Sequence, residues 1–172
     1  MAVLIKEQSV VADSWRLLRR GPDGALPEAP AQGDVIVPLA LWLERRDAFL
    51  AYPGRLGVWL DSNEGPEAIA SDLQRFTVIA VNFPKFADGR GFSIARLLRE
   101  RYGYKGELRA IGEVARDLLF YMASCGFDAF ALREGENVEE AIAAFSDFSE
   151  AYQTSVRQPQ PLFRRRLSAG KS

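Results

Sequence analysis

From Val35 onward, short apolar runs rich in β-branched and aromatic residues alternate with longer stretches whose apolar residues recur every three or four positions. The runs Val35-Ile36-Val37, Leu56-Gly57-Val58-Trp59-Leu60, Thr77-Val78-Ile79-Ala80-Val81, Glu107-Leu108-Arg109-Ala110-Ile111 and Asp128-Ala129-Phe130-Ala131-Leu132 read as buried strands. Between and after them, Ile94, Leu97, Leu98 and Tyr102 form one helical stripe. Val114, Leu118, Tyr121, Met122 and Cys125 form a second, and Val138, Ile142, Phe145 and Tyr152 a third. Ser93 is the expected N-cap of the first of these helices and Gly103 its stop. This alternation predicts an α/β fold of repeated βα units with a mainly parallel sheet, either partial TIM-barrel-like or open and doubly wound.

The segment before that rhythm reads differently. Residues 1–34 predict a short antiparallel hairpin and a linker: Val3-Leu4-Ile5, Val10-Val11 and Trp15-Arg16-Leu17-Leu18 supply two or three antiparallel strands, closed by the turn Gly21-Pro22-Asp23-Gly24. The α/β domain is expected over 35–153. A basic, flexible tail is expected over 154–172, because after Glu150 the chain carries Arg157, Arg164, Arg165, Arg166 and Lys171 with no acid. Arg164 to Arg166 could dock a partner, yet no nucleic-acid-binding motif accompanies them, so nucleic acid is not an expected partner.

Composition removes whole classes of chemistry. The chain has no histidine and one cysteine, which excludes a Ser-His-Asp triad, a Cys-His pair, an internal disulfide and the ordinary zinc sites. No metal site is expected on these grounds, and Cys125 is read as a buried core thiol. No apolar run approaches the roughly 20 residues needed to span a bilayer, and Lys6, Glu7, Asp13 and Arg16 interrupt the segment where a signal peptide would need an apolar core. The expected location is cytoplasmic, with no membrane partner.

The spacing of the strands points to a site. Strand starts fall near 35, 56, 77, 107 and 128, so a period of about 21 residues stretches to about 30 after the third strand. The extra residues include Asn82 to Ser93, at the sheet edge where parallel α/β folds carry ligands. There Asp88-Gly89-Arg90-Gly91-Phe92-Ser93 puts two glycines, an arginine and a hydroxyl before a helix, a pattern suited to an oxyanion, with Lys85 adding a point charge. Lys85, Arg90, Gly91, Ser93 and Arg109 are the candidate anion-binding residues; Lys85, Asp88 and Glu113 are the candidate catalytic ones. The plainer alternative is a tight turn whose glycines supply positive φ and whose Asp88 pairs with Arg90. Phe83, Phe86 and Phe92 either pack this loop on the core or wall a pocket. Arg109, a charge inside a buried strand, needs a partner: it either shares a crevice with Arg90 or bridges Glu107 or Asp117.

Three stretches carry a family likeness: Phe83-Pro84-Lys85-Phe86-Ala87-Asp88-Gly89-Arg90-Gly91-Phe92-Ser93-Ile94-Ala95-Arg96-Leu97-Leu98-Arg99, then Gly103-Tyr104-Lys105-Gly106-Glu107-Leu108-Arg109-Ala110-Ile111-Gly112, then Cys125-Gly126-Phe127-Asp128-Ala129-Phe130. They resemble the bacterial family filed as domain of unknown function 934, over most of Val35 to Gln153. The resemblance implies a context: members are encoded beside the sulfite reductase and phosphoadenylylsulfate reductase of assimilatory sulfate reduction, and are labelled oxidoreductases of sulfite reduction. It carries over no catalytic residue. Where members have a second aspartate after Ala-Ile-Gly, this chain has Glu113, which keeps the charge.

The leading expectation is therefore an accessory or oxidoreductase-type protein of sulfite reduction, partnered with sulfite reductase and binding a small oxyanion. Direct redox catalysis would need a flavin held by contacts that no motif marks, so the cofactor stays unassigned. An alternative is a small (β/α) barrel-like enzyme acting on a phosphorylated or carboxylated metabolite, with Lys85 as base or electrophile and Asp88 or Glu113 on magnesium. A third is a non-catalytic interaction module, in which an open sheet edge would favour a homo-oligomer.

Overall fold

All five apolar runs become strands of a single eight-stranded sheet in the computed structural model of the chain, which describes residues 3–86 and 88–145. The strands are β1 (Leu4–Lys6), β2 (Ser9–Val11), β3 (Arg16–Leu17), β4 (Val35–Pro38), β5 (Leu56–Leu60), β6 (Val78–Phe83), β7 (Glu107–Gly112) and β8 (Ala129–Ala131). Their order is β2-β1-β8-β7-β6-β5-β4-β3, with β3 to β8 mutually parallel and β1 and β2 antiparallel at one edge. A doubly wound sheet reverses its strand order midway; from β3 to β8 this sheet adds each strand beside the last, as a barrel does.

Helical segments follow each strand from β4 onward. They are α1 (Leu39–Glu44) and α2 (Arg46–Leu50), a 3-10 helix (Pro66–Arg75), α3 (Arg90–Arg96) running on as a π-helix (Leu97–Arg101), a 3-10 turn (Arg116–Leu118) leading into α4 (Leu119–Cys125), and α5 (Val138–Ala144). Residues alternating along each strand divide between two faces. One set, including Val37, Val58, Ile79, Val81, Leu108 and Phe130, joins the main core under the helices, where Cys125 is also buried. The other set, Ile36, Trp59, Val78, Ala80 and Ile111, forms a smaller cluster on the opposite face, with Trp15, Leu17 and Ala131 against it.

Chain length dictates the curvature of the sheet. Only Ala12 to Trp15 separate β2 from β3, yet these strands are its two edges. Five residue steps reach at most about 18 Å. Eight flat strands would set their edges roughly 34 Å apart at about 4.8 Å per spacing. The sheet must therefore curl into a half-barrel, and the connecting segment must cross its inner face. It does so with Asp13 bonded to Arg109 of β7 at 2.9 Å, and just past β3 Leu18 O accepts from the Trp59 indole at 2.8 Å.

Several expectations change. The third amino-terminal strand, β3, is parallel to β4 at the far edge and no part of a hairpin; residues 1–34 supply three strands of the common sheet. Ser93 does not cap α3, whose N-cap is Gly89 without a side-chain bond, because the helix begins at Arg90. Gly103, at φ +65°, does end that helical stretch. Tyr121 leaves the buried stripe of α4 and is half exposed, its ring standing edge-on to Phe92 at 4.7 Å. Tyr152 and the 154–172 tail lie outside the described residues. Among the described residues no helix is long and apolar enough to cross a membrane.

The β1–β2 hairpin turns through Glu7 and Gln8, both at positive φ (51° and 61°), a two-residue turn whose second position ordinarily holds glycine. Gln8→Gly is expected to stabilise the protein by about 1 kcal/mol, read as a higher urea midpoint with unchanged slope. A lower midpoint would show that the turn does not hold this geometry in solution.

Candidate functional site

β6 runs two residues further than its apolar run suggested, because Phe83 is fully buried and pairs with Gly112 of β7. Asn82 and Phe83 thus belong to the sheet and Arg90 to α3, which leaves Pro84 to Gly89 as the loop. Phe83 and Phe92 are in contact at 5.2 Å and pin this loop to the core. Phe86 instead points outward, half exposed, with the Arg133 guanidinium 5.9 Å from its ring centre.

The two glycines around Arg90 do not supply positive φ. Gly91 is there for space: a Cβ would lie 2.7 Å from the Phe83 ring, closer than carbon atoms tolerate. Asp88 does pair with Arg90, accepting from Nε at 2.9 Å and from Nη2 at 2.7 Å. The guanidinium, with the Ser62 hydroxyl second, holds the Asp88 carboxyl well below the usual carboxylate range. That grip uses one edge of the guanidinium and leaves Nη1 without a partner among the described residues, with the Arg90 side chain 62% exposed. Lys85 is exposed and has no side-chain partner among the described residues. Ser93 is exposed in the first turn of α3.

Arg109 is not part of this group. Its side chain is buried on the inner face, where Nε and Nη2 reach Glu107 at 2.8 Å and Nη1 reaches Asp13 at 2.9 Å. Glu107 is shared with Lys6 of β1 at 2.9 Å. Of the bridges weighed for Arg109, Glu107 is the one made; Asp117 is not a partner, since it follows the carboxyl end of β7, whereas Asp13 comes from the crossing segment. With Glu113, Arg109 lines a crevice of about 590 Å³ inside the half-barrel, which neither Arg90 nor Lys85 lines.

Three carboxyl-edge loops converge on Arg133, a residue that sequence reasoning missed. It donates to Glu136 at 2.8 Å and to Glu113 at 3.3 Å, besides facing Phe86. Asp61, just after β5, was missed as well: it accepts from the Asn82 side-chain amide at 3.1 Å and joins the ends of β5 and β6. Gly112 closes β7 at φ +90°, where a Cβ would lie 2.5 Å from Phe83 O and 2.6 Å from Asn82 Oδ1. Asp88 and Glu113, weighed as magnesium ligands, each face an arginine. Among the described residues no group of three or more acidic or cysteine side chains is arranged to hold a metal ion.

The two arginines should respond differently to truncation. Arg109→Ala strands the Asp13 carboxylate on the inner face, leaves Glu107 with Lys6 alone, and is expected to cost on the order of 3 kcal/mol in chemical denaturation. Arg90→Ala, at an exposed position, is expected to leave the midpoint unchanged. Equal effects would contradict this division of roles.

Residues 57–163, more than half of the chain, match the model of a family described as bacterial protein of unknown function (DUF934). No curated protein matches the chain. Because that match takes in the carboxyl-edge residues from Asp61 to Glu136, the chain belongs to the DUF934 family.

Proposed function

We propose that this protein is an accessory component of assimilatory sulfite reduction that holds a small oxyanion on the loop after β6 and works together with sulfite reductase. The observation that carries the anion reading is the posture of Arg90. Asp88 takes Nε and Nη2, so the planar fork is oriented at little entropic cost, and Nη1 is left without a hydrogen-bond partner among the described residues on a side chain that is 62% exposed. Lys85 adds a positive charge with no side-chain partner among the described residues, and Ser93 a hydroxyl one helical turn away. The Asp88–Arg90 pair is neutral as a unit, so net attraction for an anion rests on Lys85, and affinity in the millimolar range is expected. The link to sulfite rests on the family likeness of Phe83 to Phe130 and its genomic context.

Sulfite, sulfate and phosphate titrated into the full chain, followed by amide chemical shifts, test the reading. Saturable shifts at Lys85 and Arg90 are expected, and Arg90→Ala or Lys85→Ala should weaken binding about tenfold with an unchanged melting curve. Wild-type affinity in both variants would reduce the Asp88–Arg90 pair to a turn clasp. Co-purification of sulfite reductase with the tagged chain tests the partnership separately.

A further inference from the structure

The inner crevice of the half-barrel has two banks. One is the crossing segment and β3, contributing Asp13, Trp15, Leu17 and Arg19; the other is the ends of β7 and β8 with the residues that follow them. Its floor is apolar, from Trp15, Leu17, Ile36, Ile111 and Ala131, and Trp15, Leu17 and Ala131 are only partly buried. At about 590 Å³ it falls within the range occupied by small-molecule sites, and it opens at the carboxyl edge of a parallel sheet.

The charges around it are what select a ligand. Six charged residues line the crevice: Asp13, Arg19, Arg109, Glu113, Arg133 and Glu134. Four are engaged in ion pairs: Asp13 with Arg109 at 2.9 Å, which also meets Glu107, and Glu113 with Arg133 at 3.3 Å, which also meets Glu136. Arg19 and Glu134 are left, both exposed and neither with a side-chain partner among the described residues. They stand on opposite banks, one just past β3 and the other just past β8. An anion alone would satisfy Arg19 and be repelled by Glu134; a cation alone would meet the reverse. We infer that the crevice binds a small zwitterion with an apolar side group, of the α-amino acid kind. Its carboxylate meets Arg19, its ammonium meets Glu134, and its side chain lies on the floor beside Trp15. This site is independent of the oxyanion loop and stands or falls without it.

L-leucine and L-phenylalanine titrated into the full chain, followed at the Trp15 indole N–H, provide the test. Binding with Kd on the order of 1 mM is expected. Arg19→Gln and Glu134→Gln should each weaken it at least about tenfold while leaving the melting curve in place, since both positions are exposed. N-acetyl-L-leucine, which lacks the cation, and L-leucine methyl ester, which lacks the anion, should bind at least about tenfold more weakly than leucine. No movement of the Trp15 signal with either amino acid overturns the inference. So does equal affinity for N-acetyl-leucine and leucine, or wild-type affinity in either variant.

Discussion

A connection of four residues governs the shape of this molecule. Because Ala12 to Trp15 must join opposite edges of an eight-stranded sheet, the sheet cannot stay open, and the chain that bends it also fills what bending encloses. In a closed barrel the interior is packed by strands from the far side. Here Trp15 and Leu17 stand in for them, set against Ile36, Trp59 and Ile111. The crossing segment is fastened where apolar packing alone would let it slide: Asp13 meets Arg109, whose burial is tolerable only because Glu107 and Asp13 together satisfy it. An ion pair of this kind adds little net stability over an apolar pair, but it sets the register of the crossing.

The curl has a consequence at the carboxyl edge. Strand ends that a flat sheet would splay apart converge, so side chains from separate loops can meet. Arg133 after β8 touches Glu113 after β7 and Phe86 after β6, and Asp61 after β5 holds Asn82 of β6. Close approach in turn demands small residues, as at Gly112, where the end of β7 runs against Phe83 O. The edge is thus a rim of loops linked through Arg133.

How legible this was from sequence depended on the range of the interaction. Buried strands showed themselves because a run such as Val35-Ile36-Val37 can be satisfied only between two packed faces. Helices showed themselves where the apolar stripe was continuous, and failed at Tyr121, whose partner Phe92 lies on another helix. The parallel pairing of β3 was not legible: Trp15-Arg16-Leu17-Leu18 reads as a strand but says nothing of its neighbour, and a following turn suggested a hairpin. The partner of Arg109 was only half legible. Glu107 is two residues away on the same face, whereas Asp13 is separated by 96 positions. The loop before α3 looked twice its length because Phe83, apolar among polar neighbours, could have been loop or strand, and because α3 starts at Arg90 behind Gly89 with no side-chain cap to mark it. Only its pairing with Gly112 decides.

Electrostatics differ in kind between the amino end of β7 and β8 and the carboxyl edge beyond β6 and β8. At the amino end, burial pushes the Asp128 carboxyl up and the Tyr104 hydroxyl up, yet both are occupied: Asp128 accepts from Leu108 N at 2.8 Å and Tyr104 donates to Phe76 O at 2.9 Å. Arg99 completes this end, donating to Gly126 O, Tyr104 O, Gly106 O and Asp128, so these groups staple the entries of β7 and β8 to the helix that precedes them. At the carboxyl end Arg90 holds the Asp88 carboxyl down and the Arg116 backbone N–H holds Glu136 down. Carboxylates kept ionised by fixed donors orient cations and are poorly suited to accept protons near neutrality. Asp88 and Glu136 are therefore held ionised in place, where they orient Arg90 and Arg133 at this edge.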